Sequence, residues 1–249
     1  MAKIAIIGGS GLTSLAGQEI IRREVARTPY GECSAPMVFG KLGGVEVLFL
    51  ARHGPRHTIP PHEVNYRANI WALKESGVKK IIAVGAVGGI TEQYQAPGTL
   101  SLPNQIIDYT YGRQHSYFTG ADKKVMHVEF TDPYCEELRS TLVKASIRAG
   151  LSAVDGGTYG ATQGPRFETA AEIRRMERDG VDVVGMTGMP EASLAREMKL
   201  CYATVAMTVN PAAGKSEQVI SIKEIERNLT TGMARVCQLL EAALPDCED

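Results

Sequence analysis

Short apolar runs that stop at glycines alternate with segments of helical spacing along this chain. Residues 3–7 form a compact apolar run that ends in Gly8-Gly9-Ser10-Gly11, which predicts a buried strand opening into a tight turn. Strands are also predicted at 20–27, 37–42 and 45–51, the last two joined as a hairpin by Gly43-Gly44. Residues 62–76 read as a helix: they follow Pro60-Pro61, space Val64, Ala68 and Trp71 helically, and stop at Gly77. Residues 79–88 and 99–109 predict strands. Residues 133–149 predict a helix with Asp132 as N-cap, Pro133 in its first turn and Gly150 beyond its end.

The second half alternates strand and helix: strand 153–163, helix 169–179, strand 181–186, helix 190–199, strand 201–209, helix 221–244. Thr169 with Glu172, and Ser221 with Glu224, have the spacing of capping boxes. The alternation predicts an α/β protein with a mostly parallel central sheet flanked by helices. The strand-rich first half extends or partly curls that sheet. No repeat, low-complexity tract or linker interrupts residues 1–249, so a single domain is expected.

A chain of 249 residues can bury a large core. Lys plus Arg is 27 against 28 for Asp plus Glu, which leaves no global pull toward nucleic acid or anionic lipid. No apolar run approaches the ~20 residues of a membrane helix, and residues 4–7 are too short for the core of a secretory signal. The five cysteines (Cys33, Cys135, Cys201, Cys237, Cys247) are widely spaced with no CxxC pair. They predict neither a disulfide framework nor a Cys-type zinc site, and they suit a reducing cytoplasm.

In α/β folds ligands sit beyond the carboxyl ends of the strands. Gly8–Gly11 follows such an end, and its backbone N–H groups with the Ser10 hydroxyl suit an anion. A dinucleotide fingerprint fits poorly, because the third glycine would fall at Ser14 and none of residues 29–31 is acidic. Ala-Arg-His-Gly-Pro-Arg-His at 51–57 is the densest polar cluster. Arg52 offers a fork that matches phosphate, and His53 and His57 can donate to the same anion or to a sugar. A metal held by His53, His57 and His62 is the rival reading, but the prolines between them break the helix that i, i+4 pairs need.

Other strand ends carry weaker signals. Gly85-Ala86-Val87-Gly88-Gly89 permits close backbone contact with a flat ligand, or simply close packing. Phe167 can stack on an aromatic ring and Glu168 can accept from ring N–H groups. Equally, they suit a core phenylalanine and a first-turn acid. Thr187 is either an anion donor or an N-cap. Asn210 has the donor and acceptor that suit a nucleobase edge, or it starts the turn before Pro211.

Taken together, Gly-Gly-Ser-Gly-Leu at 8–12, Ala-Arg-His-Gly with His57, the run from Val64 to Lys74, Gly185-Met186-Thr187 with Pro190-Glu191, and Cys201-Tyr202-Ala203 resemble the nucleoside phosphorylase superfamily. The likeness is to its trimeric, methylthioadenosine-cleaving branch and covers nearly the whole chain. Two segments depart from that branch. Gly164–Glu172 is similar to the Gly-Pro-x-Phe-Glu-Thr segment of purine nucleoside phosphorylases, and Asn210-Pro211-Ala212 stands where the branch has an Asp-x-Asp base reader.

The resemblance implies a single-domain fold with a mixed, partly barrel-like sheet. It also implies phosphorolysis of S-methyl-5′-thioinosine to hypoxanthine and 5-methylthioribose 1-phosphate. Methylthioadenosine, inosine or guanosine are alternative substrates, and a non-catalytic nucleotide-binding module is the alternative outside enzymes. By the same resemblance, Ser10, Arg52, His53, Ala86 and Thr187 hold phosphate, and Asn210 and His53 are catalytic. Met186, Phe167, Glu168, His57, Asn210, Pro211, Ala212 and Ile222 contact the nucleoside, with Ile222 at its 5′ end. His127 would enter from a neighbouring subunit of a homotrimer. Phosphate is a co-substrate, and no metal or other cofactor, nucleic acid or membrane is implied.

Overall fold

The computed structural model describes residues 2–119, 125–217 and 220–247. In the first half, β1 (Ile4–Gly8), β2 (Glu19–Glu24), β3 (Arg27–Thr28), β4 (Gly31–Glu32), β5 (Met37–Leu42) and β6 (Val45–Ala51) precede α1 (Tyr66–Glu75) and β7 (Lys80–Gly89). Then follow β8 (Leu100–Leu102), β9 (Gln105–Asp108), α2 (Glu136–Arg148), β10 (Ala153–Asp155) and β11 (Thr158–Ala161). The chain continues with α3 (Ala170–Arg178), β12 (Val183–Gly185), α4 (Gly188–Glu197), β13 (Cys201–Pro211) and α5 (Ile222–Ala243).

These elements make a single-domain α/β fold around one mixed sheet. Its main path runs β10-β8-β13-β7-β1-β6-β5-β2, and a branch, β9-β11-β12, returns onto β7. The central pairs β13/β7, β7/β1 and β1/β6 are parallel, whereas β5 and β2 extend the edge antiparallel. Helices cover both faces, so β1 is buried at every position and β7 and β13 at most of theirs. That double burial is why these strands read as apolar runs without alternation. Among the described residues, no helix is long and apolar enough to cross a membrane.

Several boundaries differ from the sequence expectation for local reasons. The helix expected at 62–76 starts later, because the Asn65 side chain accepts from the Ala68 N–H at 3.1 Å and caps it there. The strand expected at 99–109 is two strands. Pro103 has no N–H to give a ladder, and the chain changes partners from β10 and β13 to β11. The strand expected at 153–163 breaks at Gly156 and Gly157, whose φ of 97° and 101° no other residue adopts readily.

The helix expected from Pro133 begins only after Cys135, whose N–H donates to the Tyr202 carbonyl at 2.8 Å and ties this end to β13. That docking also corrects the expectation about cysteines. Cys135 and Cys201 form a disulfide across 66 residues of sequence, with Cα atoms 5.1 Å apart. Spacing along the chain could not show it, because two distant elements bring the pair together.

Candidate active site

The site opens where β7 loses a partner. One edge of β7 pairs with β1 through Ala83 and with β12 from Gly88, so residues 84–87 face no strand there. A cavity of about 800 Å³ occupies this gap, at the carboxyl ends of β1, β6, β7, β12 and β13. It gathers Ser10, Arg52, His53, His57, Ala86, Phe167, Glu168, Met186, Thr187, Asn210 and Ala212 from six separate segments. Gly9 must be a glycine here: a Cβ would lie 2.6 Å from the Val84 oxygen and 2.9 Å from Arg52 Nη1.

Arg52 is 1% exposed, and much of its donor set is already committed. Nε and Nη2 each donate to the Glu191 carboxylate at 2.7 Å, and Nη1 donates to the Val84 carbonyl at 3.0 Å. Tyr202 donates to the same carboxylate at 2.9 Å. Burial alone would lower the Arg52 pKa, but the charge and hydrogen bonds of Glu191 carry it above its ordinary value. Of five N–H donors, three are spent, so one each on Nη1 and Nη2 can meet an anion. Glu191 was not a predicted site residue. Its signal in the sequence was a carboxylate inside the apolar run Met189-Pro190 to Ala192, where burial demands a cationic partner.

The segment after Arg52 wraps on itself. The N–H groups of Thr58 and Ile59 both donate to the His53 carbonyl, and this curl sets the Ile59 oxygen 2.8 Å from His53 Nδ1. Burial first, and then the Arg52 charge, push the His53 pKa down to about 4. His57 sits at φ 53°, a conformation costly for a side chain with a Cβ, and its Nε2 lies 2.9 Å from Ser10 Oγ. If Ser10 is to donate to an anion, His57 must supply the hydrogen of that pair. Thr187 is the N-cap of α4, yet its hydroxyl makes no capping bond and lies beside the Tyr159 hydroxyl at the cavity wall.

At the opposite end, a bulge in β13 presents Asn210. The β13/β7 register shifts between Thr208 and Asn210, and Asn228 of α5 donates to the displaced Val209 carbonyl at 2.8 Å. Asn210 Nδ2 donates to the Pro211 carbonyl at 2.6 Å, leaving one amide hydrogen and the oxygen free. Glu168 accepts from the Thr162 hydroxyl through one carboxylate oxygen at 2.6 Å, and its second oxygen remains available. Arg113 braces this side by donating to the carbonyls of Thr162, Gln163 and Met189 at 3.1, 2.7 and 2.6 Å. Neither Asn228, Thr162 nor Arg113 was foreseen, because each acts through backbone carbonyls or a neighbouring side chain.

Residues 3–245 match the phosphorylase superfamily. The chain belongs to the phosphorylase superfamily. It is accordingly an enzyme of the nucleoside phosphorylase type, a pentosyltransferase. It is 52% identical to a probable S-methyl-5′-thioinosine phosphorylase of Pseudomonas syringae pv. tomato, over 98% of this chain and 99% of that protein. It is 47% identical to a 6-oxopurine nucleoside phosphorylase of Pyrococcus furiosus, over 98% and 93%. Its fold is similar to that of a methylthioadenosine phosphorylase from Schistosoma mansoni in complex with adenine. The TM-score is 0.94 at 33% identity, covering 100% of this chain and 93% of that one.

Three residues expected at the site do not line the cavity. Ile222 is 58% exposed at the start of α5 and does not line the cavity; Ile220, Ile225, Glu226 and Leu229 do. Ile222 shares the helix face of Ile225 and Leu229 but is the first residue of α5, one turn before Ile225, and only the later turns reach the cavity. Pro211 lies behind the lining, where its carbonyl holds Asn210. His127 is exposed and does not line the cavity. Among the described residues, no cluster of three His, Cys, Asp or Glu could hold a metal.

Proposed function

We propose that this enzyme cleaves S-methyl-5′-thioinosine with inorganic phosphate, giving hypoxanthine and 5-methylthioribose 1-phosphate. The observation that carries the base assignment is Glu168. Thr162 fixes one carboxylate oxygen, and the other, which can only accept, suits the N1–H of a 6-oxopurine. Adenine presents a bare N1 there, and an unmatched pair of acceptors costs ~1–3 kcal/mol. The remaining amide hydrogen of Asn210 suits N7 or O6. Phe167 packs on the base and Met186 lies under the ribose. The apolar wall of Ile220, Ile225 and Leu229 suits a methylthio group.

In this mechanism a phosphate oxygen bonds to C1′ and the pair of the C1′–N9 bond leaves with the base. Positive charge builds on the sugar in between, and the adjacent anion stabilises it. The proton that monohydrogen phosphate gives up equals the one the leaving purine gains, so no other reactant is needed. Ser10, Arg52, His53, Ala86 and Thr187 form the phosphate site. His53 and Asn210 act at the reacting groups, and His57 orients Ser10.

Glu226 favours a second reading. A carboxylate on the wall of the 5′ pocket can accept from a 5′-hydroxyl, which suits inosine or guanosine. We further propose a cytoplasmic homotrimer in which His127 of each subunit reaches the neighbouring cavity, with phosphate as co-substrate and no metal. The deciding experiment is a panel of methylthioinosine, methylthioadenosine, inosine and guanosine, with and without phosphate. Preference for methylthioadenosine would overturn the base assignment, and preference for inosine would overturn the 5′ assignment.

A further inference from the structure

The position of the hydrogen on His53 is fixed by its surroundings. Its Nδ1 faces the Ile59 carbonyl at 2.8 Å, and a carbonyl has no proton to give, so Nδ1 carries the hydrogen. In the neutral ring, Nε2 is then a bare lone pair. Burial, above all, keeps the ring neutral. Among the described residues Nε2 has no hydrogen-bond partner, and the ring forms part of the cavity wall beside Ser10, Ala86 and Thr187.

The charge balance around it matters as much. The full positive charge of Arg52 is matched by Glu191 at 2.7 Å, so the pair is formally neutral. The other facing group, His57, is engaged with Ser10. No uncompensated cation overrides a repulsive contact at Nε2. A lone pair that meets an anion oxygen is repulsive unless a hydrogen lies between them, and here only the anion can bring it.

We propose that His53 selects the oxyanion by its protonation state. The site takes a tetrahedral anion that carries its own hydroxyl, seated with that O–H donating to His53 Nε2, and it discriminates against a proton-free dianion of the same shape. Phosphate and arsenate hold a proton near neutral pH; sulfate does not. The inference rests on the assignment of this cavity as a phosphate site and deepens it to the ionic form bound and its orientation. It makes His53 a specificity-determining acceptor where an imidazole beside phosphate would ordinarily be taken for a donor.

The test is calorimetric titration of the purified enzyme with phosphate, arsenate and sulfate near neutral pH at constant ionic strength, without nucleoside. Phosphate and arsenate should bind at least about tenfold more tightly than sulfate, a gap of ~1.4 kcal/mol. Any sulfate binding should draw a proton from the buffer, seen as heats that change with the buffer's ionisation enthalpy. His53→Asn can still donate to the Ile59 carbonyl but leaves no lone pair at the Nε2 position, and it should narrow the gap to about threefold or less. Sulfate binding to the wild type within about threefold of phosphate overturns the inference, as does sulfate binding without proton uptake. A folded His53→Asn protein that keeps the full gap overturns it too. Failure to bind any of the three anions would instead overturn the phosphate-site assignment beneath it.

Discussion

At the scale of single residues, the hydrogen bonding of two groups in the cavity is set by their surroundings. Glu168 is held ready to accept, so Glu168→Gln, which can also donate, should lower kcat/KM for methylthioinosine by roughly 10- to 100-fold and narrow the gap to methylthioadenosine. Steady-state rates on both substrates check this, and an unchanged ratio would place selectivity elsewhere. His53 makes a separate prediction about stability. Its pKa falls from 6.5 to about 4 in the fold, so between those values the unfolded chain binds more protons than the native one. Stability should therefore fall as pH drops through that window, by up to about 3 kcal/mol, and this contribution should be flat above it. Glu172, held down to about 2 by Arg166 and the Thr169 backbone, adds acid sensitivity of its own at lower pH. Urea midpoints across the window should show a shallower slope in His53→Asn than in wild type.

At the scale of elements, the site depends on departures from regular structure. An unbroken β13 would point Asn210 to the same face as Thr208; the bulge at Val209 changes that, and Asn228 of α5 satisfies the carbonyl it displaces. Asn228→Ala should cost about 1–2 kcal/mol of stability and lower kcat/KM several-fold, although Asn228 need not touch substrate. Comparing its denaturation midpoint and rates with wild type tests this, and a stable variant with normal rates would show that the bulge holds itself. The same helix brings Ile225 and Leu229 to the cavity while Ile222, on the same face, stays exposed at its first turn, where Ser221 caps the helix by accepting from the Glu224 N–H. Capping boxes and apolar spacing were legible in the sequence for α3, where Thr169 and Glu172 bond reciprocally as expected.

At the scale of the molecule, the Cys135–Cys201 bridge joins α2 to the first residue of β13, immediately before Tyr202. Tyr202 holds Glu191, and Glu191 holds Arg52, so the covalent link lies two hydrogen-bonded steps from the proposed phosphate site. Closing a loop of 66 residues is worth ~4 kcal/mol in the chain-entropy account. Reduction, or Cys201→Ser, should lower the denaturation midpoint accordingly. Thiol titration before and after unfolding checks the premise: five reactive thiols in the unreduced, unfolded chain would mean no bridge.

The sequence by itself determined the class of fold, the order of its major strands and helices, and the strand ends where a ligand would sit. Those features follow from local causes: double burial makes apolar runs, capping residues and glycines punctuate them, and the motifs at 8–12, 51–57 and 164–172 are short. Only the tertiary structure decided which groups meet. It spent two of the Arg52 donors on Glu191, 139 residues away, and a third on the Val84 carbonyl, and it paired Cys135 with Cys201. It also split two predicted strands between partners and set the carbonyl of Ile59 against His53. The physical reason is common to all four. A buried charge, thiol, strand edge or imidazole is settled by whatever packs against it, and that neighbour comes from the topology of the sheet, not from the spacing of residues along the chain.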